Sequence, residues 1–436
     1  MNIYSIILIV YLKKIKEANM YIKELTNEEF NEFTSNFPYK TFYQTPEYAQ
    51  VMNQEKNDAF FIGLVDDNYV LAASLVVVEK RNGFKYAYTP RGFLINFNDY
   101  NLVEQFTKLL KEYLGKKGIV AFRINPMIVK NIYNNNREII YQNKHYDSIF
   151  EQLIKLGYNH QGYNDYFENI KPRFEAILNI ETDTDEIFKN IDKNYRKNIK
   201  NAMEDGIHVF KGNFNELKYL YEQSKYKYPR SYSFLQEIYK LYDQKGMVDL
   251  YYAKLNTEEY LINSQKEHEE LETETNDINY KIMEDIHKDK SKLINKKLTS
   301  DSLLNKYENK LITATSLLKS NPNGIVLASL MVIKYYGTVY MFMDGYDMNY
   351  RYLNAKHLLL WKVIEEYSKK GFKKFNLGGI SNITKDDKYK GLNDFRMNFG
   401  SCAIEYAGDF ELVTNNTLYF MYKKATQISK ITKKKN

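Results

Sequence analysis

Tyr69-Val70-Leu71-Ala72-Ala73-Ser74-Leu75-Val76-Val77-Val78-Glu79 is a nearly unbroken apolar run, and it reads as a β-strand. Working outward, Ala59–Val65 reads as a strand before it. Asn101–Leu114 follows with Val103, Phe106, Leu109 and Leu110 at helical spacing, and Ile119–Ile124 is a strand again. Helix then strand recurs at Ser148–Leu156 and Phe174–Asn179. The same alternation returns after residue 208: a strand at His208–Phe210, helices at Asn215–Ser224 and Ser233–Gln244, strands at Val248–Ala253 and Ile325–Tyr335. This rhythm indicates a mixed α/β fold made of two successive domains of similar grammar, alike in pattern rather than in repeated sequence.

Length and composition agree. At roughly 150 residues per domain, 436 residues allow two or three domains. Hydrophobic residues at 44% and charged residues at 27% exclude wholesale disorder. The net charge of +7 is too small for a chain that mainly coats nucleic acid but suits an anionic substrate. A single cysteine, Cys402, excludes an intramolecular disulfide framework and a Cys-rich zinc site, and fits a reducing cytoplasm. The 41 tyrosines beside one tryptophan read as compositional bias, so a tyrosine counts only inside a motif. Met1–Leu12 is apolar but about half the roughly 20 residues a membrane span needs, and its lysines follow the apolar run instead of preceding it. Residues 1–19 therefore read as an extension ahead of a strand at Tyr21–Leu25.

One segment breaks the pattern. From Glu258 to about Ser320 charged residues dominate, with Leu271, Ile278, Ile282, Ile286 and Leu293 as a narrow apolar seam. The seam resumes at Leu304, Tyr307, Leu311 and Leu318. It predicts two helices paired as an antiparallel coiled-coil hairpin, with Ser300 or Asp301 capping the returning helix and Asn321-Pro322-Asn323-Gly324 ending it.

The common catalytic kits are missing: no Gly-x-x-x-x-Gly-Lys loop, no His-Glu-x-x-His, no Gly-x-Ser-x-Gly elbow. The six histidines are scattered. Four features remain. Tyr88-Thr89-Pro90-Arg91-Gly92 sets an arginine and a glycine after a strand. Lys193–Lys200 opens a helix with four cations. Phe375-Asn376-Leu377-Gly378-Gly379-Ile380 reads as a strand entering a Gly-Gly turn, where backbone amides can approach a ligand. Phe395-Arg396-x-x-Phe399-Gly400 sets an aromatic beside a cation.

Taken in order, these resemble the Fem family, the FemABX peptidoglycan aminoacyltransferases, from Met20 onward. Phe37-Pro38-Tyr39-Lys40-x-Phe42-x-Gln44-Thr45 resembles the opening motif of the family. Tyr340-Met341-Phe342-Met343-Asp344-Gly345 is similar to its aromatic-Gly strand. Phe395–Gly400 followed by Ile404-Glu405-Tyr406-Ala407-Gly408-Asp409-Phe410 is similar to its Phe-Lys and Glu-Tyr-x-Gly-Glu/Asp stretches, with arginine in place of the usual lysine. The helical insert resembles that of the arm-bearing subgroup.

The resemblance implies two tandem acetyltransferase-like (GNAT) domains: 20–172 completed by 403–436, and 173–254 with 324–402, the arm being 255–323. It implies transfer of an amino acid from aminoacyl-tRNA to a side-chain amine or growing cross-bridge on a peptidoglycan precursor, lipid II or a UDP-linked muropeptide. Aminoacyl-tRNA is then a co-substrate, and no resident cofactor or metal is expected. Arg351-Tyr352-Leu353-Asn354-Ala355-Lys356 lacks the glycines of a coenzyme A pyrophosphate loop, which argues against that donor.

Arg396 is expected to stabilise charge and Phe395 to stack on a terminal base. Arg230, Phe342, Lys40, Arg91 and Tyr88 are expected to hold the precursor, and Arg196, Lys197 and Lys200 the tRNA. Asn125-Pro126 stands where the family often has Asp-Pro, so a carboxylate that could orient the amine is missing. Alternatives are a non-peptidoglycan amine as acceptor and a non-catalytic tRNA-binding scaffold. A cytoplasmic location, peripheral contact with the inner membrane face, and a second copy or Fem-type partner complete the expectations.

Overall fold

The computed structural model describes residues 20–433 apart from 56, 165, 166, 168, 169, 228, 229, 285–289, 386 and 387. The expected extension 1–19 and the seam residue Ile286 lie outside the described residues. The chain divides into two compact units. The first takes Met1–Leu178, Asn376–Met397 and Ser401–Asn436, and the second takes Asn179–Phe375 with Asn398–Gly400. The sequence reading had placed 376–397 with the second domain.

In the first unit the strands are β1 (Tyr21–Leu25), β2 (Asp58–Asp66), β3 (Tyr69–Arg81), β4 (Phe84–Pro90), β5 (Ile119–Asn125), β6 (Val129–Tyr133), β7 (Ile139–Gln142), β8 (Asn159–His160) and β9 (Phe174–Asn179). The second unit holds β10 (Ile207–Gly212), β11 (Val248–Leu255), β12 (Ile325–Tyr335) and β13 (Thr338–Tyr346). After it come β14 (Lys374–Ile380), β15 (Cys402–Tyr406) and β16 (Phe410–Val413).

The main sheet of the first unit runs β1-β2-β3-β4-β5-β16-β8. Its central strand β3 is buried on both faces from Ala72 to Val78, which is why that stretch needs no polar alternation. Only β4 and β5 are parallel among its registered pairs, joined over the helix Tyr100–Lys116. That helix packs Phe106 and Leu110 against Val76, Phe93 and Phe122, the heart of the core. Each such side chain contributes ~1.5–3 kcal/mol on burial. The parallel pair sets Pro90 opposite Asn125, so the Arg91-Gly92 turn leaves the sheet beside Asn125. A second ladder, β14-β9-β15-β6-β7, carries the C-terminal motifs.

In the second unit β10-β11-β12-β13 form an antiparallel ladder. Between β11 and β12 run the helices Thr257–Glu284 and Ser291–Ser320. They lie antiparallel, joined by Lys310–Glu267 at 2.7 Å, Lys296–Glu274 at 2.9 Å and a Thr275–Ser300 hydroxyl pair at 2.7 Å. Asn321 caps the second helix at its C-terminus, as its sequence indicates. The expected N-terminal cap at Ser300 or Asp301 is wrong. The returning helix starts at Ser291, and Ser300 is buried within it, satisfied by Thr275 across the pair. Small residues (Ser264, Thr275, Ser300, Ala314) share the most buried seam positions, and the apolar count alone had passed over them.

Candidate active site

Polar residues of the first unit converge on the Arg91 turn. Thr45 caps the helix Pro46–Gln54, accepting from the Tyr48 amide. Gln44, just before it, accepts from the Leu75 amide and donates to the Pro90 carbonyl, both at 2.7 Å, and so fastens β3 to the turn. Gly92 is required there, because a Cβ would stand 2.6 Å from the Ser74 hydroxyl oxygen.

Arg91 turns inward. At 2% exposure it donates to the Glu175 carboxylate at 2.6 Å, the Pro172 carbonyl at 2.8 Å and the Asn125 side-chain oxygen at 2.9 Å, and it covers the Tyr406 ring at 4.5 Å. The expected role in holding a precursor does not match this burial; Arg91 organises the unit from within. Asn125 passes the bond on, donating to Asp409 at 2.5 Å. An amide suits this position because it donates to one partner and accepts from the other. The Glu405 of the C-terminal motif is likewise internal, held by Arg173, Asn131 and Tyr133.

Glu175 also connects to the glycine strand. Its other oxygen accepts from the Asn376 amide at 3.0 Å, and the Asn376 oxygen accepts from the Gly378 amide at 2.8 Å. Gly378 and Gly379 were expected in a turn but lie within β14. Their lack of a Cβ serves packing on two sides. The Arg396 guanidinium lies over Gly378, 3.3 Å from where a Cβ would be, and donates to the Gly379 carbonyl. A Cβ on Gly379 would collide with Pro172 at 2.1 Å. Arg396 is 6% exposed and Phe395 half-buried, on the helix Lys390–Met397. A polar path thus runs from Arg91 through Glu175 and Asn376 to the glycines beneath Arg396.

Lys171, next to Pro172, escaped the sequence reading. Its ammonium lies 3.7 Å from the Tyr43 ring centre and 3.3 Å from the Tyr48 hydroxyl. Burial, reinforced by the Arg91 charge, pushes it down to about 7. Only the aromatic run Phe42-Tyr43 and Tyr48 hinted at such a pocket. Of the other named residues in this unit, Tyr88 is half-buried with its hydroxyl 3.5 Å from the Met52 sulfur, and Lys40 donates to the Ser35 carbonyl at 2.6 Å.

The second unit holds the remaining candidates. Phe342 sits at a β-bulge: Met331 pairs with Met343 and Val332 with Met341, leaving Phe342 as the extra residue. Two residues on, buried Asp344 binds Lys227 at 2.9 Å and Lys356 at 2.8 Å. The first bond fastens Lys227, three residues before Arg230 in the sequence, to the bulged strand. Arg230 is exposed with its guanidinium 5.0 Å from the Phe234 ring centre; its motif neighbours Tyr228 and Pro229 lie outside the described residues.

Arg196, Lys197 and Lys200 are carried on the helix Lys193–Glu204, Lys197 and Lys200 exposed and Arg196 half-buried. Tyr195 on that helix meets His357 edge-to-face at 4.7 Å; burial and then Lys356 hold His357 down at about 4, so it stays neutral at pH 7. Met203, at the end of the same helix, lines a pocket of about 520 Å³ with Phe210, Lys211, Tyr251, Lys362 and Glu366, none of them singled out from sequence. Among the described residues no His/Cys/Asp/Glu group could hold a metal ion, and no helix is long and apolar enough to cross a membrane.

The FemAB family model matches residues 25–427. The chain belongs to the FemAB family. Among FemAB relatives, an aminoacyltransferase FemA of Staphylococcus epidermidis is 28% identical over 428 residues, covering 94% of this chain and all of that protein. A Staphylococcus aureus FemA is 26% identical, covering 92% of this chain and 97% of that protein. A crystal structure of FemX superposes with a TM-score of 0.69 at 21% identity, covering 92% of this chain and 99% of that one. The mixed α/β fold expected from sequence is therefore the observed one, and it is shared with FemX.

Proposed function

We propose that this FemAB protein transfers an amino acid from aminoacyl-tRNA to an amine of a peptidoglycan precursor, extending an interpeptide cross-bridge, with the lipid-linked precursor as acceptor. The observation that carries this reading is coverage: the family match spans residues 25–427, and the FemA of S. epidermidis aligns over its whole length.

The chemistry asks for little from the protein. The donor ester is already activated. The acceptor nitrogen attacks its carbonyl, the C–N bond forms as the C–O bond to the ribose breaks, and the amine proton leaves with the ribose hydroxyl. Positioning and a positive charge near the developing oxyanion suffice. In this reading Arg396 supplies that charge, Phe395 stacks on the terminal base of the donor, and Arg230 with Phe342 holds the precursor. Burial pushes the Cys402 thiol up, which disfavours the thiolate form.

The test supplies charged tRNA and purified lipid-linked precursor. Amino-acid transfer to the precursor amine is the expected result, and no transfer with any charged tRNA defeats the reading. Arg396→Lys should keep most of the activity and Arg396→Met lose it. Equal loss in both would make the guanidinium a structural cover for Gly378 instead.

A further inference from the structure

The helix Asn416–Lys433 has two faces of opposite character. Its inner face is bolted to the first unit. Tyr422 is buried, stacks on Tyr86 at 5.7 Å and meets Phe84 at 6.1 Å, and the Thr426 hydroxyl accepts from the Asn82 amide at 3.1 Å. Leu418 and Tyr419 complete the same packing, and the Tyr419 hydroxyl donates to Glu411. The helix is therefore held at a fixed rotation. By the 100° step per residue, Phe420, Met421, Lys424, Gln427 and Ile428 point the other way.

That outer face is apolar where solvent should select polar residues. Phe420 is 62% exposed, Met421 53% and Ile428 62%. The charge carried on the helix itself has one sign, although Lys423 lies 3.9 Å from Glu411 of β16. After Glu411 the remaining sequence contains six lysines (Lys423, Lys424, Lys430, Lys433, Lys434 and Lys435) and no Asp or Glu. An aromatic, a thioether and a branched aliphatic side chain set among lysines fit an interface that is negative outside and apolar a few ångströms deeper. A nucleic-acid backbone would take the lysines but leave Met421 and Ile428 in water.

We infer that the outer face of helix Asn416–Lys433 docks on an anionic lipid bilayer, with Phe420, Met421 and Ile428 entering the acyl boundary and Lys423 and Lys424 facing the headgroups. The inference goes beyond the transfer reaction and does not need it: binding can be measured without turnover. It would carry the enzyme to a lipid-linked acceptor.

The experiment mixes the full chain with vesicles of phosphatidylcholine containing about 30% phosphatidylglycerol, and separately with pure phosphatidylcholine, and measures co-sedimentation against salt. Binding is expected to the anionic vesicles and to weaken with salt. Lys424→Gln should weaken it by roughly fivefold, and the double variant Phe420→Glu/Ile428→Glu by more than roughly tenfold. Both changes are on exposed positions, and circular dichroism with an unchanged unfolding midpoint verifies the fold. No binding to anionic vesicles at low salt overturns the inference, as does binding indifferent to the double variant. Retention of a short RNA through the same side chains, without vesicle binding, overturns it too and reassigns the face.

Discussion

Arg91 and Arg230 carry the same side chain on the two units and sit in opposite surroundings. Arg91 is enclosed, with three acceptors and a ring around one guanidinium. Arg230 lies exposed, three residues in sequence after Lys227, which bonds Asp344 of the bulged strand. An arginine in a motif can therefore preserve a site by holding the protein or by holding a ligand, and sequence alone does not separate the two. Burying such a cation is tolerable only when its fork is filled, whereas an exposed one stays within reach of a visiting anion.

The contrast can be broken most forcefully at Arg91. Arg91→Met would leave Glu175 as a buried carboxylate without its cation, and should cost about 3–5 kcal/mol in denaturant unfolding. A loss below ~1 kcal/mol would show that the cluster does not hold the unit. Gly379→Ala comes next. The new methyl meets Pro172, so about 1–3 kcal/mol of destabilisation is expected, with transfer activity falling through displaced Arg396. Unchanged melting would mean that Pro172 gives way easily.

Lys171 gives a smaller, pH-dependent effect. Its native value of about 7 lies below the unfolded value near 10.4, so between them the unfolded chain holds the extra proton. Stability through this group is therefore lowest below pH 7 and rises as pH climbs toward 10. The groups facing it are Tyr43, Tyr48, Arg91, Glu175 and Glu55. In Lys171→Met the gap between melting temperatures at pH 6.5 and 9.5 should shrink by roughly 3 °C; an equal gap in both proteins would place the native lysine in its ordinary range. Arg230→Ala should leave thermal unfolding unchanged while raising the KM for precursor by roughly tenfold. A fall in stability with an unaltered KM would make Arg230 another Arg91.

What sequence could tell was what local periodicity records. The strands Phe174–Asn179 and Ile325–Tyr335 match residue for residue, and the central apolar run extends by two to Arg81. The glycine pair was read as a turn, because glycine signals freedom locally and cannot announce that Arg396 and Pro172 press on it from elsewhere. The roles of Glu175, Asn376 and Lys171 were hidden for the same reason. Their partners stand far away along the chain, so no spacing rule marks them. The hairpin turn was misplaced because Ser300 is polar, and only the facing Thr275 reveals it as interior.

The place of β16 bears on how the protein is made. It inserts between β5 and β8, two earlier strands, yet it leaves the ribosome well after both of them. At ~5–20 residues per second, the edges of β5 and β8 wait on the order of 15–60 s for their shared neighbour. During that interval the early half of the sheet is an open template for foreign strands, and synthesis of this protein leans on whatever shields nascent β-edges in its cell.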